Sequence, residues 1–334
     1  MKNFKPTRRV LLRHAALVMA ALFGVAAVPV CAQNDYPTKP IRLMVGYSAG
    51  GPTDVLARVL GQDLGAFLGQ AVVVDNKPGV NGNIATEFVQ NAAPDGYTLI
   101  VNTLSHNVNP LLQPERIKYD PIKNFTPVAM VAVLPQLIVV AADSPYKTLG
   151  ELIKKAQTQP QAVSYGTAGS GGSAHLATAL LEQRSKTQMN HIPFKGNGPA
   201  LTEVMAGRVD FMFYPMIGVA DAVKSGKLRI LATTTAVRHP DYPQTPTMSE
   251  LGFPGFEDYA QPIGILAPAG VAKPVVDKLN AAVVAALAKP ATLTRLRALG
   301  AEVKHLGPTE YRDWLAQDRT RWAQLIRSAN IKAE

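Results

Sequence analysis

Apolar residues recur along this chain with two alternating periods, and that alternation predicts its architecture. From Asp54 onward, Val55, Leu56, Val59, Leu60, Leu64, Phe67 and Leu68 fall three and four apart, the spacing of one helix face. Gly69 stands where a left-handed residue would end that helix. Short β-rich runs flank it at 41–45 and 71–74; a helix to about residue 93, the turn Pro94-Asp95-Gly96 and a strand at 98–101 follow. Further strands are predicted at 137–142, 162–165, 189–194, 209–213, 228–233 and 259–266. Helical periods cover 274–288, 291–299 and 309–329, the last with Trp314, Leu315, Trp322, Leu325 and Ile326 facing a core. Strands alternating with helices imply α/β layers with parallel pairing.

Two of the strand-to-helix junctions are unusually rich in small polar residues. The first reads Tyr47-Ser48-Ala49-Gly50-Gly51-Pro52-Thr53-Asp54, the second Tyr165-Gly166-Thr167-Ala168-Gly169-Ser170-Gly171-Gly172-Ser173-Ala174-His175. Such a turn aims free backbone N–H groups at one spot, where the helix dipole also favours an anion. Tyr47, Ser48, Gly50 and Gly51 are therefore candidate ligand contacts in the first turn, and Thr167, Gly169, Ser170 and Ser173 in the second. Thr103 and Ser105 lie beyond the carboxyl end of strand 98–101, where open α/β sheets bind ligands, and Lys195 holds a comparable position after 189–194. Asp54 is assigned to the first turn of its helix rather than to the ligand.

The amino-terminal 32 residues read as a signal peptide. Lys2, Lys5, Arg8, Arg9 and Arg13 precede an apolar stretch, and Val30-Cys31-Ala32 offers a cleavage site before Gln33. The stretch is shorter than the roughly 20 apolar residues a membrane span needs. The pair Arg8-Arg9 leaves both general secretion and twin-arginine export open. Cleavage would remove Cys31, the only cysteine, and would leave 29 Lys and Arg against 24 Asp and Glu, a net charge of +5. That excess is scattered, without the aromatic-interleaved basic stripe of a nucleic-acid binder.

Roughly 300 remaining residues exceed one ordinary core, so two domains are expected. Crossings near 137–142 and 259–266 divide them into a first lobe of 33–140 plus 262–334 and a second of 141–261, joined by a hinge suited to closing on a ligand.

Enzyme readings find no complete constellation. Gly169-x-Gly171-x-x-Ala174 formally fits a dinucleotide turn, but Phe194-Lys195 stands where an acidic residue should hold a ribose. Ser170 and Ser173 near His175 keep a serine hydrolase open as an alternative, although the Gly-x-Ser-x-Gly elbow is missing. His106, His175 and His191 lack metal-ligand spacing, so neither a metal nor a cofactor is expected.

Further residues carry a family resemblance. Tyr36-Pro37-Thr38-Lys39-Pro40-Ile41, the turn at 48–54 with Arg58, Leu68-Gly69-Gln70, Pro94-Asp95-Gly96-Tyr97-Thr98 and Phe125-Thr126-Pro127-Val128 resemble the Bug-type solute receptors of tripartite tricarboxylate transporters. So do the segment 167–176, Phe194-Lys195-Gly196, Ala206-Gly207-Arg208-Val209-Asp210, Pro246-Thr247 and Leu266-Ala267-Pro268-Ala269-Gly270. The resemblance implies a periplasmic two-lobed binding protein of the type II class and not an enzyme. It implies a monomer that takes a small carboxylate (a dicarboxylate, tricarboxylate, acidic amino acid or aromatic acid) to membrane transporter subunits. Delivery to a membrane sensor is the alternative. Gly46-Tyr47-Ser48, Asn124 and Gln261-Pro262-Ile263 depart from the family pattern, which bears on the choice of ligand.

Overall fold

Strand β1 (Ile41–Val45) is buried at four of its five positions because neighbours cover both its edges and faces. It pairs in parallel with β2 (Val72–Asn76) and β3 (Thr98–Asn102), Leu43 lying opposite Val74 and Leu99. The computed structural model describes residues 36–328 and 331–332; the signal-peptide reading and Cys31 lie outside the described residues. Helix α1 (Pro52–Leu68) starts on proline, whose missing N–H is no loss in a first turn, and ends at Gly69 with φ 69°. Its Leu56, Val59, Leu60, Leu64 and Leu68 are buried as the period required, each contributing roughly 1.5–3 kcal/mol, whereas Phe67, expected on the same face, is 45% exposed.

The first sheet runs β11-β4-β10-β3-β1-β2, where β4 is Phe125–Leu134, β10 is Gln261–Pro268 and β11 is Glu302–Leu306. Helices α2 (Asn83–Gln90), α3 (Ser105–Leu112), α8 (Lys273–Ala288), α9 (Pro290–Ala298) and α10 (Pro308–Ser328) accompany these strands in the chain. The second sheet runs β7-β6-β8-β5-β9, built from β5 (Gln136–Ala141), β6 (Ser164–Thr167), β7 (Asn190–Pro193), β8 (Phe211–Pro215) and β9 (Leu228–Thr233). With it come α4 (Leu149–Thr158), α5 (Ser173–Ser185), α6 (Asn197–Met205) and the short α7 (Ala220–Lys224). Thr148 and Glu151 start α4 with a reciprocal capping box. Each sheet mixes parallel and antiparallel pairs, so the molecule is a two-lobed α/β protein.

The passage between sheets is abrupt. Only Pro135 separates β4 from β5, and β5 pairs with β8 and β9, so this strand lies in the second sheet, not at the end of the first lobe. Proline suits the position because it has no ladder N–H to lose. The chain returns through the short 3-10 turn Glu257–Tyr259 into β10. A third link comes from α10. Its Tyr311 and Leu315 pack with Met44 and Ile100 in one core, while Trp322 packs in the core that holds Phe213 and Leu231. The carboxyl-terminal helix therefore straddles both lobes instead of belonging wholly to the first.

Candidate ligand-binding cleft

Three strand-to-helix turns, one from the first lobe and two from the second, converge between the sheets. The first leads from β1 into α1, whose N-cap Gly51 has no side-chain cap. Asp54 reaches back from the helix: Oδ2 accepts from Gly50 N and Arg58 Nε, both at 2.9 Å, and Oδ1 from Asn76 Nδ2 at 3.0 Å. Burial opposes its charge, yet the bonds from Arg58, Gly50 and Asn76 hold the carboxyl below its usual range. Asp54 thus shapes the turn and occupies the Gly50 N–H.

The second turn joins β6 to α5, whose N-cap Gly172 also lacks a side-chain cap. Fully buried Thr167 accepts from Gly169 N at 3.1 Å and lies 2.6 Å from His191 Nε2. His175 Nδ1 accepts from Gly171 N at 3.0 Å. Burial, helped by His191 stacked 4.5 Å away, pushes His175 down to about 3, which keeps the ring neutral and able to accept. The third turn joins β7 to α6, whose N-cap Gly196 has φ 154° and no side-chain cap. A Cβ at Gly196 would sit 3.2 Å from Ser48 N, so backbone of one lobe lies against backbone of the other.

The floor is a polar network around Tyr47. Its hydroxyl donates to Asn81 Oδ1 at 3.2 Å and lies 2.9 and 2.8 Å from the hydroxyls of Thr103 and Ser105. Burial pushes the phenol's pKa up, so it remains a donor at neutral pH. Asn81, held at φ 48°, in turn donates to Ser170 O at 2.9 Å and Asn109 Oδ1 at 3.1 Å. Ser48 Oγ donates to Lys195 O at 3.0 Å, a second bond between lobes. Gln261, on the returning strand β10, spans the cleft: Nε2 donates to Thr53 Oγ1 at 3.2 Å, and Oε1 accepts from Ser173 Oγ at 3.4 Å.

The cavity enclosed by these groups holds only about 10 Å³, room for one water-sized sphere. Its wall contains no charged side chain. The cleft is closed, with no space in this cavity for a molecule much larger than water. Outside it, an open groove of about 580 Å³ is lined by Ser48, Gly169, Ser170, Phe194, Lys195 and Arg116. A larger groove of about 850 Å³ lies behind β10: Ala260 and Pro262 line the groove, whereas the intervening Gln261 lines the cleft, as alternate strand positions must.

Of the residues singled out from sequence, Tyr47, Gly51, Thr103 and Ser173 line the inner cavity. Ser48, Gly169, Ser170 and Lys195 line the outer groove. Ser105 and Thr167 sit behind the walls as bonding partners of Tyr47 and Gly169. Gly50 is exposed, with its N–H taken by Asp54. Thr53, Asn81 and Asn197 also line the cavity without having been singled out as contacts, and so does Gln261, which the sequence marked only as a departure bearing on ligand choice. The run Gly196-Asn197-Gly198-Pro199 after a strand was an available signal for the third turn.

Two α/β lobes with helix N-termini facing a cleft between them define a solute-binding receptor. The chain belongs to the tripartite tricarboxylate transporter receptor family, whose model matches residues 56–331. Among its relatives is the protein BugT of Bordetella pertussis, 35% identical over 318 residues that cover 94% of this chain and 96% of that one. The fold matches the structure of the periplasmic binding protein BugD with a TM-score of 0.85 and 34% identity, over 90% of this chain and all of that one. MatC of Rhodopseudomonas palustris with bound malate matches with a TM-score of 0.82 and 32% identity, over 87% of this chain and all of that one.

Proposed function

We propose that this protein is a periplasmic receptor that closes on a small carboxylate and delivers it to the membrane subunits of a tripartite tricarboxylate-type transporter. One observation carries the reading: three helices from both lobes bring N-termini without side-chain caps to a single uncharged cleft. Free N–H groups and helix dipoles there can neutralise an anion without an arginine. A micromolar complex needs about 8 kcal/mol, and hydrogen bonds to a charged group contribute roughly 1.5–3 kcal/mol each, so five or six suffice after binding costs. The malate bound by MatC supports the same ligand class.

The working hinge lies at Pro135 and Gln261, and closure brings the second-lobe turns onto the first; the one-residue link between β4 and β5 and the Gln261–Thr53 bond support this reading. The protein acts as a monomer and performs no catalysis. Ser173 is bonded to Gln261 rather than to a base, and His175 is engaged by Gly171, which disfavours a hydrolase. Calorimetric titration of the exported protein against succinate, malate, glutarate, adipate, citrate and benzoate, with chromatography of each acid afterwards, tests this. Saturable binding with the acid recovered intact is expected. Binding of none, or conversion of any, overturns the reading.

A further inference from the structure

Three amide side chains stand on the cavity wall, and two are bonded through both their oxygen and their nitrogen. Asn81 accepts from Tyr47 and donates to Ser170 and Asn109; Gln261 donates to Thr53 and accepts from Ser173. Asn197 differs. It is the first residue of α6, only 8% exposed, and its buried Oδ1 has no hydrogen-bond partner. A buried carbonyl oxygen left unpaired weakens an equilibrium by about 5- to 150-fold relative to one that finds a donor.

A carboxylate has no hydrogen to give, so it cannot satisfy this oxygen. The neighbouring N–H groups of the α6 first turn suit the carboxylate instead. A further group on the ligand, close to that carboxylate, can supply the missing donor. We infer that the bound acid carries a hydroxyl or amino group on the carbon next to a carboxylate, and that Asn197 selects for it. The inference rests on the carboxylate-receptor reading above and adds to it the class of acid. A site that hydrogen-bonds a ligand O–H or N–H rejects the analogue lacking it, because its own polar group is then stranded.

Matched acids test this. The wild-type protein is titrated calorimetrically with succinate, malate and aspartate, and with glutarate, 2-hydroxyglutarate and glutamate. In at least one series, the hydroxy or amino acid should bind about 10-fold or more tightly than the plain diacid. The two substituted acids show whether O–H or N–H is preferred. Asn197→Ala and the similarly bulky Asn197→Leu should bring the ratio near one, the substituted acid losing more affinity than the plain diacid. Equal wild-type affinities for plain and substituted acids overturn the inference while leaving the receptor reading standing, and so does a preference that survives in both variants. Binding of no carboxylate removes the receptor reading and this inference together. The wild-type comparison needs no variant to fold, and melting curves confirm that the variants do.

Discussion

Asn81 and Ser170 meet across the cleft: the Asn81 amide donates to the Ser170 carbonyl at 2.9 Å, linking residues 89 positions apart. The same amide nitrogen lies 3.1 Å from Asn109 Oδ1, and the same side chain accepts from Tyr47. One asparagine therefore connects the floor of the first lobe to the second turn of the other. Its φ of 48° is a conformation that asparagine and aspartate tolerate better than most residues.

Asn81→Asp should loosen closure. Aspartate keeps the backbone conformation but cannot donate to Ser170 O, and it sets a carboxylate against two acceptor oxygens. The ligand-free variant should have a larger radius of gyration in small-angle scattering, with affinity for the identified acid lowered about 10-fold or more. Superimposable scattering curves for variant and wild type would count against a latch here.

Ser173→Asp and Ser170→Asp should separate the inner cavity from the outer groove. Ser173 lines the cavity, so a carboxylate there faces the bound acid at low dielectric and should abolish binding. Ser170 lines the outer groove beside Lys195 and Arg116, where solvent and nearby bases reduce the repulsion, and its variant should retain measurable affinity. Calorimetry alongside circular dichroism checks both. Loss of binding at 170 with retention at 173 would place the acid in the outer groove.

How much of this could be read from residues alone follows from how local each feature is. The turns at 48–54 and 167–175 were legible because strand, small residues and helix adjoin in sequence. Strand β9 was read at its observed ends, 228–233, since its alternation and flanks are local. Strand β4 was not read as an element: Pro127 interrupts its pattern, although it pairs with Leu266 beside a register shift. The boundary at Pro135 was hidden because one proline divides a nearly continuous apolar run, 127–142, between two sheets. Asn81 looked like an ordinary loop residue, since its role depends on a partner in the other lobe. Asn197 was overlooked beside the more conspicuous Lys195.

Stability should fall as pH drops below about 6.5. Burial pushes His106 down to about 4 and His175 down to about 3, so both are neutral when folded and take up protons on unfolding. A histidine with a depressed folded value contributes its full stability above its unfolded value of about 6.5 and loses it as pH falls toward the folded one. Asp318, whose buried carboxyl is pushed up, acts in the opposite direction but is one group against two. Melting temperatures from pH 8 to 4 should show a plateau above about 6.5 and a steady decline below. A level profile down to pH 4.5 would contradict the assigned burial of these rings.

Trp322→Ala should cost about 3–5 kcal/mol. The indole is 1% exposed, meets Tyr259 edge-on at 5.1 Å and donates to Asp318 Oδ1 at 2.9 Å. Because Tyr311 and Leu315 on the same helix belong to the other core, the loss should uncouple the lobes as well as weaken one. Denaturant unfolding read by fluorescence and circular dichroism should give two transitions where wild type gives one. A cost below about 1 kcal/mol would mean the helix end is dispensable.

Gln261 and its neighbours Ala260 and Pro262 work on opposite faces of one strand, the glutamine in the cleft and the other two in the groove of about 850 Å³ behind it. A rigid ribbon used as a fulcrum cannot gain clearance on one side without giving it up on the other. Spreading the jaws at the front must therefore squeeze the recess at the rear. On the proposed hinge, the space behind β10 is the travel that opening consumes, and bulk wedged into it should hold the mouth shut without touching the ligand.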